Sequence, residues 1–285
     1  MKHISIIPLA AVVMLAASCA AARKSDVRLT SDESPELQTA PVPTRYARRS
    51  FRLMTYNVGA FSKYEESGID EVARIISAQH PIAVALNEVD SVNVRHKEDQ
   101  LALLSSALGD WQPHFGAAMV FLGGSYGNGV VVSPKCRIVR KCVIPLDRAG
   151  GSEPRSVAVV ETDDFVFASC HLDFKSESAQ LSQIEQLTAW FKDNYEGSRK
   201  PVFMCGDMNA TPDSGSIRAL KQDWEQLSPS VSTFPIDAPC KCIDYIFRLR
   251  SSARVTVTGG EVVTSEQALK ASDHLPVWVE VVVCT

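Results

Sequence analysis

The chain has 285 residues, 45% of them hydrophobic and 22% charged, with a net charge of −4. This composition excludes disorder over most of the length and suits one large or two small globular domains. It gives no overall basic footprint for nucleic acid or anionic lipid, although a local patch around a site could still attract phosphate.

At the N-terminus, Lys2 precedes an apolar stretch from Ile4 to Ala17 that is short for a bilayer span and contains Pro8. Residues 1–18 therefore read as a signal peptide. Its end, Leu15-Ala16-Ala17-Ser18-Cys19, resembles the lipobox of bacterial lipoproteins, in which the cysteine thiol receives diacylglycerol; ordinary cleavage beside an incidental cysteine is the alternative. Cleavage there removes Lys2 and leaves 28 basic against 33 acidic residues, a net charge of −5. From Arg23 to Ser50 the chain is polar, with Pro35, Pro41, Pro43 and no apolar periodicity. Residues 19–50 thus read as a lipidated cysteine and a flexible tether, spanning about 30 Å for some 28 flexible residues. The expected location is outside the cytoplasm, periplasmic or at the cell surface, held to a bacterial membrane through Cys19.

From Phe51 onward, short apolar runs alternate with amphipathic segments. "FRLMTYNV" (51–58) and "IAVALNEV" (82–89) predict strands. Between them Ile69, Val72, Ile75 and Ile76 recur at helical spacing behind a Ser67-x-x-Asp70 capping pattern. A second helix is predicted over 97–108, with Leu101, Leu104 and Leu108 on one stripe and Gly109 as its stop. Between Pro113 and Phe167 several antiparallel strands are expected, turning at Gly123-Gly124, Ser133-Pro134, Gly150-Gly151 and Asp163-Asp164. Residues 176–195 predict a helix with Leu181, Ile184, Leu187 and Trp190 inward. "PVFMCGDMN" (201–209) then reads as strand and loop, "CIDYIF" (242–247) as a strand, and "ASDHLP" (271–276) as a loop before a strand over 277–283. There is no residue-level repeat and no second linker, so residues 51–285 form one mixed α/β domain, expected as two packed sheets with helices outside.

Seven cysteines remain after Cys19, so at least one must stay unpaired within the chain. Cys170 and Cys205 lie in apolar strand patterns and read as small hydrophobes; Cys136 with Cys142, or Cys240 and Cys242 with a partner, are the expected bridges in an oxidising compartment. A zinc site is not expected, because no paired CxxC or nearby histidine pattern accompanies them.

Polar residues stand where apolar runs give way to loops: Asn57, Glu88, His171, Asp207 with Asn209, and Asp273 with His274. Any one of them alone reads as a cap or a turn. As a set, hard oxygen donors and histidines at successive strand ends are the ingredients of divalent-metal phosphoryl chemistry.

"TYNV", "LNEV", "EPRSV", "CHLD", "GDMNATP", "IDYIF" and "SDHLP" occur in the order seen in the endonuclease/exonuclease/phosphatase superfamily, and the resemblance covers Phe51 to Cys284. It implies a four-layer α/β sandwich, in which two mixed β-sheets pack face to face with helices outside and the site lies at one edge. It also implies roles. Glu88 would be the principal carboxylate on Mg²⁺ or Mn²⁺, with Asn57 helping to hold the ion or a phosphate oxygen, and Asp273 supporting the metal or His274. Asp207 would orient or deprotonate the attacking water, and Asn209 would hold that water or a phosphate oxygen. His274, fixed by Asp244, would stabilise transition-state charge, and His171 would contact the phosphate or protonate the leaving oxygen. Arg155 of "EPRSV" would support the phosphate or a neighbouring carboxylate, and Asn128 of "GSYGNGVV" would point toward the substrate phosphate; an exposed strand arginine and a simple turn are the alternatives. The family often has glutamine before the metal glutamate; here Asn87 puts one supporting hydrogen bond in doubt. "HLDF" is similar to branches that carry histidine, rather than to the apurinic endonucleases with tyrosine there.

The expected activity is metal-dependent hydrolysis of a phosphate ester, mono- or diester, by a monomer acting outside the cytoplasm. An extracytoplasmic nuclease is the alternative, less favoured because no basic cluster suited to gripping nucleic acid is visible. A non-catalytic cell-envelope binding lipoprotein on the same scaffold is the third reading.

Overall fold

The computed structural model describes residues 48–61 and 68–284, so the expected signal peptide, Cys19, most of the tether and the capping Ser67 lie outside it. The strands are β1 (Arg48–Asn57), β2 (Ala83–Ser91), β3 (Gln112–Phe121), β4 (Gly124–Val132), β5 (Ile138–Leu146) and β6 (Arg155–Thr162), followed by β7 (Val166–His171), β8 (Val202–Asp207), β9 (Trp224–Gln226), β10 (Asp244–Leu249), β11 (Val255–Val262) and β12 (Val277–Cys284). The α-helices are α1 (Gly68–Gln79), α2 (Gln100–Ala107), α3 (Glu177–Tyr195), α4 (Gly215–Asp223) and α5 (Ala268–Ala271). Among the described residues no helix is long and apolar enough to cross a membrane.

Two six-stranded mixed sheets result, one ordered β11-β12-β1-β2-β4-β3 and the other β5-β6-β7-β8-β10-β9. Each is built around one parallel pair, β1 with β2 and β7 with β8, flanked by antiparallel neighbours. A helix lies between the strands of each parallel pair, α1 in the first and α3 in the second. Alternation along the strands separates the layers. Leu53 of β1, Phe203 and Cys205 of β8 and Ile246 of β10 pack between the sheets. Their neighbours Met54 and Tyr56 face a second core with α1, α2 and α5, while Met204, Tyr245 and Phe247 face a third with α3 and α4. Strands buried on both faces must be apolar throughout, which is why their runs are continuous and end abruptly. Each fully buried Leu or Phe in these layers is worth about 1.5–3 kcal/mol.

Three expectations need correction. Leu181 is 39% exposed, because α3 turns Gln180 and Gln183 inward instead. Gln183 Oε1 accepts the Asp173 N–H, and Gln180 Nε2 donates to the carbonyls of Asp173 and Asn209. Cys136 and Cys142 are unpaired: Cys136 packs on the core between the sheets and Cys142 on the core under α3, on opposite faces of the second sheet. Cys240 and Cys242 are also free thiols, the first exposed and the second buried in the α3–α4 core. Elements α4, α5, β9 and β11 are additions to the predicted set.

Asp173 joins the end of β7 to α3. One carboxylate oxygen accepts the N–H groups of Lys175 and Ser176, and the other the N–H and hydroxyl of Ser152. Burial alone would raise its pKa, but these donors hold it down at about 2. The folded value lies below the unfolded one, so the stability it contributes is present above about pH 4 and is lost as pH falls toward 2. Asp173→Asn is expected to cost about 2–3 kcal/mol at pH 7, with the gap narrowing below pH 4. Urea denaturation at pH 7 and pH 3 checks this; an equal gap at both would refute it.

Candidate active site

The carboxyl ends of the four parallel strands lie at one edge of the sandwich. Asn57 ends β1, His171 ends β7 and Asp207 ends β8. In the second sheet His171, Asp207 and Asp244 lie side by side in register across β7, β8 and β10. The loop before β12 adds Asp273 and His274.

Glu88 lies within β2, three residues before its end, and not at the strand end as expected. An extra residue bulges β2 against β4 between Leu86 and Val89, and Glu88 takes a φ of +58°. A bulge re-aims a side chain without ending the strand, and left-handed backbone at a glutamate is uncommon enough to suggest function. Asn87, the neighbouring residue of the bulge, ties the two sheets under the site. Its Nδ2 donates to Cys170 O at 2.9 Å and Asn128 Oδ1 at 3.0 Å, while its Oδ1 accepts the Asp207 N–H at 2.9 Å. The shorter amide therefore reaches. Gly206 explains the glycine of "GDMN": its φ is +141°, and a Cβ there would meet Cys170 O at 1.8 Å.

Asp207 is the hub. Its Oδ2 accepts from Asn57 Nδ2 at 3.2 Å and lies 3.5 Å from His171 Nε2 and 3.7 Å from His274 Nε2. Its Oδ1 accepts the Asn209 N–H at 2.8 Å. Asn209 sits at φ +49°, a conformation asparagine tolerates, and its Nδ2 donates to Leu172 O. Burial, with the nearby Asp244 charge, pushes Asp207 up to about 7 against the opposing pull of His274. A carboxylate poised near neutrality is suited to taking a proton from water.

His274 Nδ1 bonds Asp244 Oδ2 at 2.9 Å, the same oxygen accepts the Thr233 hydroxyl, and Phe234 stacks on the imidazole at 4.7 Å. Burial would lower the imidazole's pKa, but Asp244 and then Asp207 outweigh it and raise it to about 9. The ring is thus an imidazolium at neutral pH, with its Nε2–H toward Asp207. His171 has the opposite character. Its Nδ1 is 3.0 Å from Arg155 Nη1, which can only donate, so the neutral tautomer carries its proton on Nε2. That makes His171 a hydrogen-bond donor to an oxyanion. Arg155 is buried and paired with Glu153 at 3.0 Å, not an exposed strand arginine.

A cleft of about 290 Å³ is lined by Glu88, Arg155, His171, Asp207, Asn209, Asp273 and His274, with Tyr126, Glu153, Phe174, Phe234 and Ile243 completing its walls. A larger hollow of about 540 Å³ beside α1 and α2 holds none of the strand-end groups; convergent chemistry, not volume, marks the site. Asn128 does not line the cleft, because its amide is committed to Asn87 and Ser156 O. The expectation that it faces phosphate is corrected to a tie between sheets. Tyr126, Glu153, Thr233 and Phe234 were not singled out from sequence; Tyr126, inside "GSYGNGVV", and Glu153, inside "EPRSV", lay in stretches that carried a signal, Thr233 and Phe234 in none.

Glu88 and Asp273 offer hard oxygen donors on one cleft, which fits Mg²⁺ or Mn²⁺. Asn57 is turned otherwise. Its Oδ1 accepts the Gly59 N–H, while its Nδ2 faces Glu88 Oε1 at 3.2 Å as well as Asp207, so it presents a donor where an ion needs an oxygen. In this arrangement Asn57 positions the two carboxylates and has an amide N–H suited to a phosphate oxygen. Asp207, Asp244 and His274 also bring ligand atoms within 4.8 Å of one another. That triangle is better read as a hydrogen-bonded relay, since Asp244 Oδ2 is already shared by His274 and Thr233.

The sequence profile described as the Endonuclease/Exonuclease/phosphatase family matches residues 54–274. No curated protein sequence matches the chain. Among solved structures, an endonuclease/exonuclease/phosphatase from Beutenbergia cavernae is 21% identical, covering 82% of this chain and 72% of that one, with a TM-score of 0.68. A family protein from Bacteroides thetaiotaomicron is 19% identical over 84% of this chain and 96% of that one, with a TM-score of 0.68. A mannosyl-6-phosphatase from the same organism is 18% identical, covering 81% and 99%, with a TM-score of 0.66. At these identities the likeness is one of fold.

Proposed function

The chain belongs to the endonuclease/exonuclease/phosphatase family, whose members include phosphatases and nucleases, and from that premise we propose that it hydrolyses phosphate esters by in-line attack of water outside the cytoplasm. The observation that carries this reading is the buried Asp207 carboxylate within 3.7 Å of two imidazoles at the floor of an oxygen-rich cleft.

Asp207 takes the proton of the attacking water. Asn209 and Asn57 fix the carboxylate, through the Asn209 N–H on Oδ1 and the Asn57 amide on Oδ2. The cationic His274 and the neutral His171 present Nε2–H groups toward the same region, where charge grows on the phosphoryl oxygens. Arg155 holds the His171 tautomer. Family enzymes are generally divalent-metal dependent, and Mg²⁺ or Mn²⁺ held by Glu88 and Asp273 would supply Lewis-acid stabilisation of phosphoryl charge. The N-terminal pattern supports export and a lipid anchor on Cys19, which keeps a monomeric catalytic body near a membrane. Labelling with radioactive palmitate, lost on Cys19→Ser, tests the anchor.

Hydrolysis of p-nitrophenyl phosphate and bis-p-nitrophenyl phosphate with Mg²⁺ or Mn²⁺, against EDTA, tests the reaction. EDTA is expected to abolish turnover and the metal to restore it, and His274→Ala to lower kcat by about 10²–10³-fold. Turnover indifferent to EDTA and to the variant would defeat the mechanism. No turnover across sugar phosphates, inositol phosphates, sphingomyelin and duplex DNA would favour a binding lipoprotein, and DNA cleavage alone a nuclease.

A further inference from the structure

Beyond Asn209 the cleft continues into a groove of about 340 Å³, and the two share Phe174, Asn209, Phe234 and Ile243 as walls. Their charges differ. The cleft carries Glu88, Glu153, Asp207 and Asp273 against the buried cations Arg155 and His274, whereas the groove is flanked by Lys175 and Lys241, both exposed. Lys175 Nζ stands 5.0 Å over the Phe174 ring, and Lys241 Nζ 5.9 Å from the Phe234 ring. Neither ammonium forms an ion pair among the described residues, although Lys192, Lys200 and Lys270 all do. The one carboxylate on the groove, Glu177, accepts the Gly215 N–H at 2.7 Å. Thr211 and Ser214 add hydroxyls to the lining.

We propose that this groove is a second anion subsite, taking a further phosphate carried by the organic part of the substrate, with Lys175 and Lys241 as its cations and the two phenylalanine rings bracketing the intervening carbon skeleton. The assignment rests on the phosphoesterase reading and narrows it to esters bearing two anionic groups. Lysine serves as a point charge for phosphate, and two of them held over aromatic faces beside an acidic cleft separate the binding of the second anion from the reacting one. Exposed charges act over roughly a Debye length, about 8 Å at physiological salt, so the preference should weaken as salt rises.

The test compares glucose 6-phosphate with glucose 1,6-bisphosphate, which differ by one phosphate on one ring. The kcat/KM ratio in favour of the bisphosphate is expected to fall by about tenfold in Lys175→Ala/Lys241→Ala, mainly through KM, and to collapse in the wild type at 0.5 M NaCl. Calorimetric binding of the same two sugars to the slow variant Asp207→Asn in EDTA, with and without the lysine substitutions, gives a second readout. An unchanged ratio, or equal losses on both sugars, overturns the subsite while leaving the phosphoesterase intact if nitrophenyl esters are still cleaved. If no ester is cleaved at all, the reaction fails first, and the calorimetric difference decides the subsite alone.

Discussion

Asp207→Asn is expected to lower kcat by about 10³–10⁴-fold with the fold retained, the range for losing a positioned general base whose removal also disturbs its partners. The substitution is nearly isosteric. The backbone bond from Asp207 N–H to Asn87 Oδ1 survives, and the amide oxygen can still accept from the Asn209 N–H. What disappears is the proton acceptor between His171 and His274. In the wild type, burial foremost raises this acid above the usual carboxylate range, so activity should climb with pH as the carboxylate ionises. The residual activity of the variant should lack that limb. Circular dichroism, together with a kcat profile at saturating metal, checks both parts. A variant retaining a tenth of wild-type kcat, or the same acidic limb, would remove Asp207 from the role of base.

The second large effect concerns a residue that does not line the cleft. Asp244→Asn is expected to lower kcat by about 10²–10⁴-fold, because the imidazole it orients loses its charge and its fixed tautomer. The Asp244 carboxylate does most to raise the pKa of His274, which burial would otherwise depress. Without it the ring becomes neutral at neutral pH, and an asparagine that still accepts from Nδ1–H leaves a lone pair on Nε2 facing the phosphate. The alkaline limb of the rate profile, set by loss of the imidazolium at about 9, should therefore move to lower pH. A histidine proton titration of both forms by NMR reads the same shift without turnover. If the His274 titration stays where it was, the relay from Asp244 is not what holds the charge.

Much of this was legible in the sequence because strands covered on both faces leave a sharp signature. "PVFMC" has no polar partner to alternate with, so the aspartate that follows marks where the strand emerges, and Asn57, His171 and Asp207 were found on that principle. Glu88 was found by the same signal but misplaced: an apolar run cannot reveal a bulge, which depends on the register of β4. The inward glutamines of α3 were invisible to hydrophobic periodicity, since they are buried for their amides and not for their carbon. Elements α4 and β11 were missed for related reasons. Helix α4 buries only Ser216, Ile217 and Leu220, and β11 is an edge strand broken by a bulge near Gly259. Thr233 and Phe234 touch Asp244 and His274 from a long loop, a contact that exists only after β10 and β12 have come together.

The order of the strands has a consequence for biogenesis. The second sheet, β5 to β10, is a single uninterrupted block of sequence placed inside the first, so β1 must wait for β12, more than two hundred residues downstream, before its open edge is covered. Until then a nascent polypeptide presents bare, sticky strand backbone, a hazard for self-association that a chaperone would have to shield. A ribosome stalled before Val277 would release a product lacking the cover for that edge, and trimming β12 should yield inclusion bodies in place of a weakened enzyme.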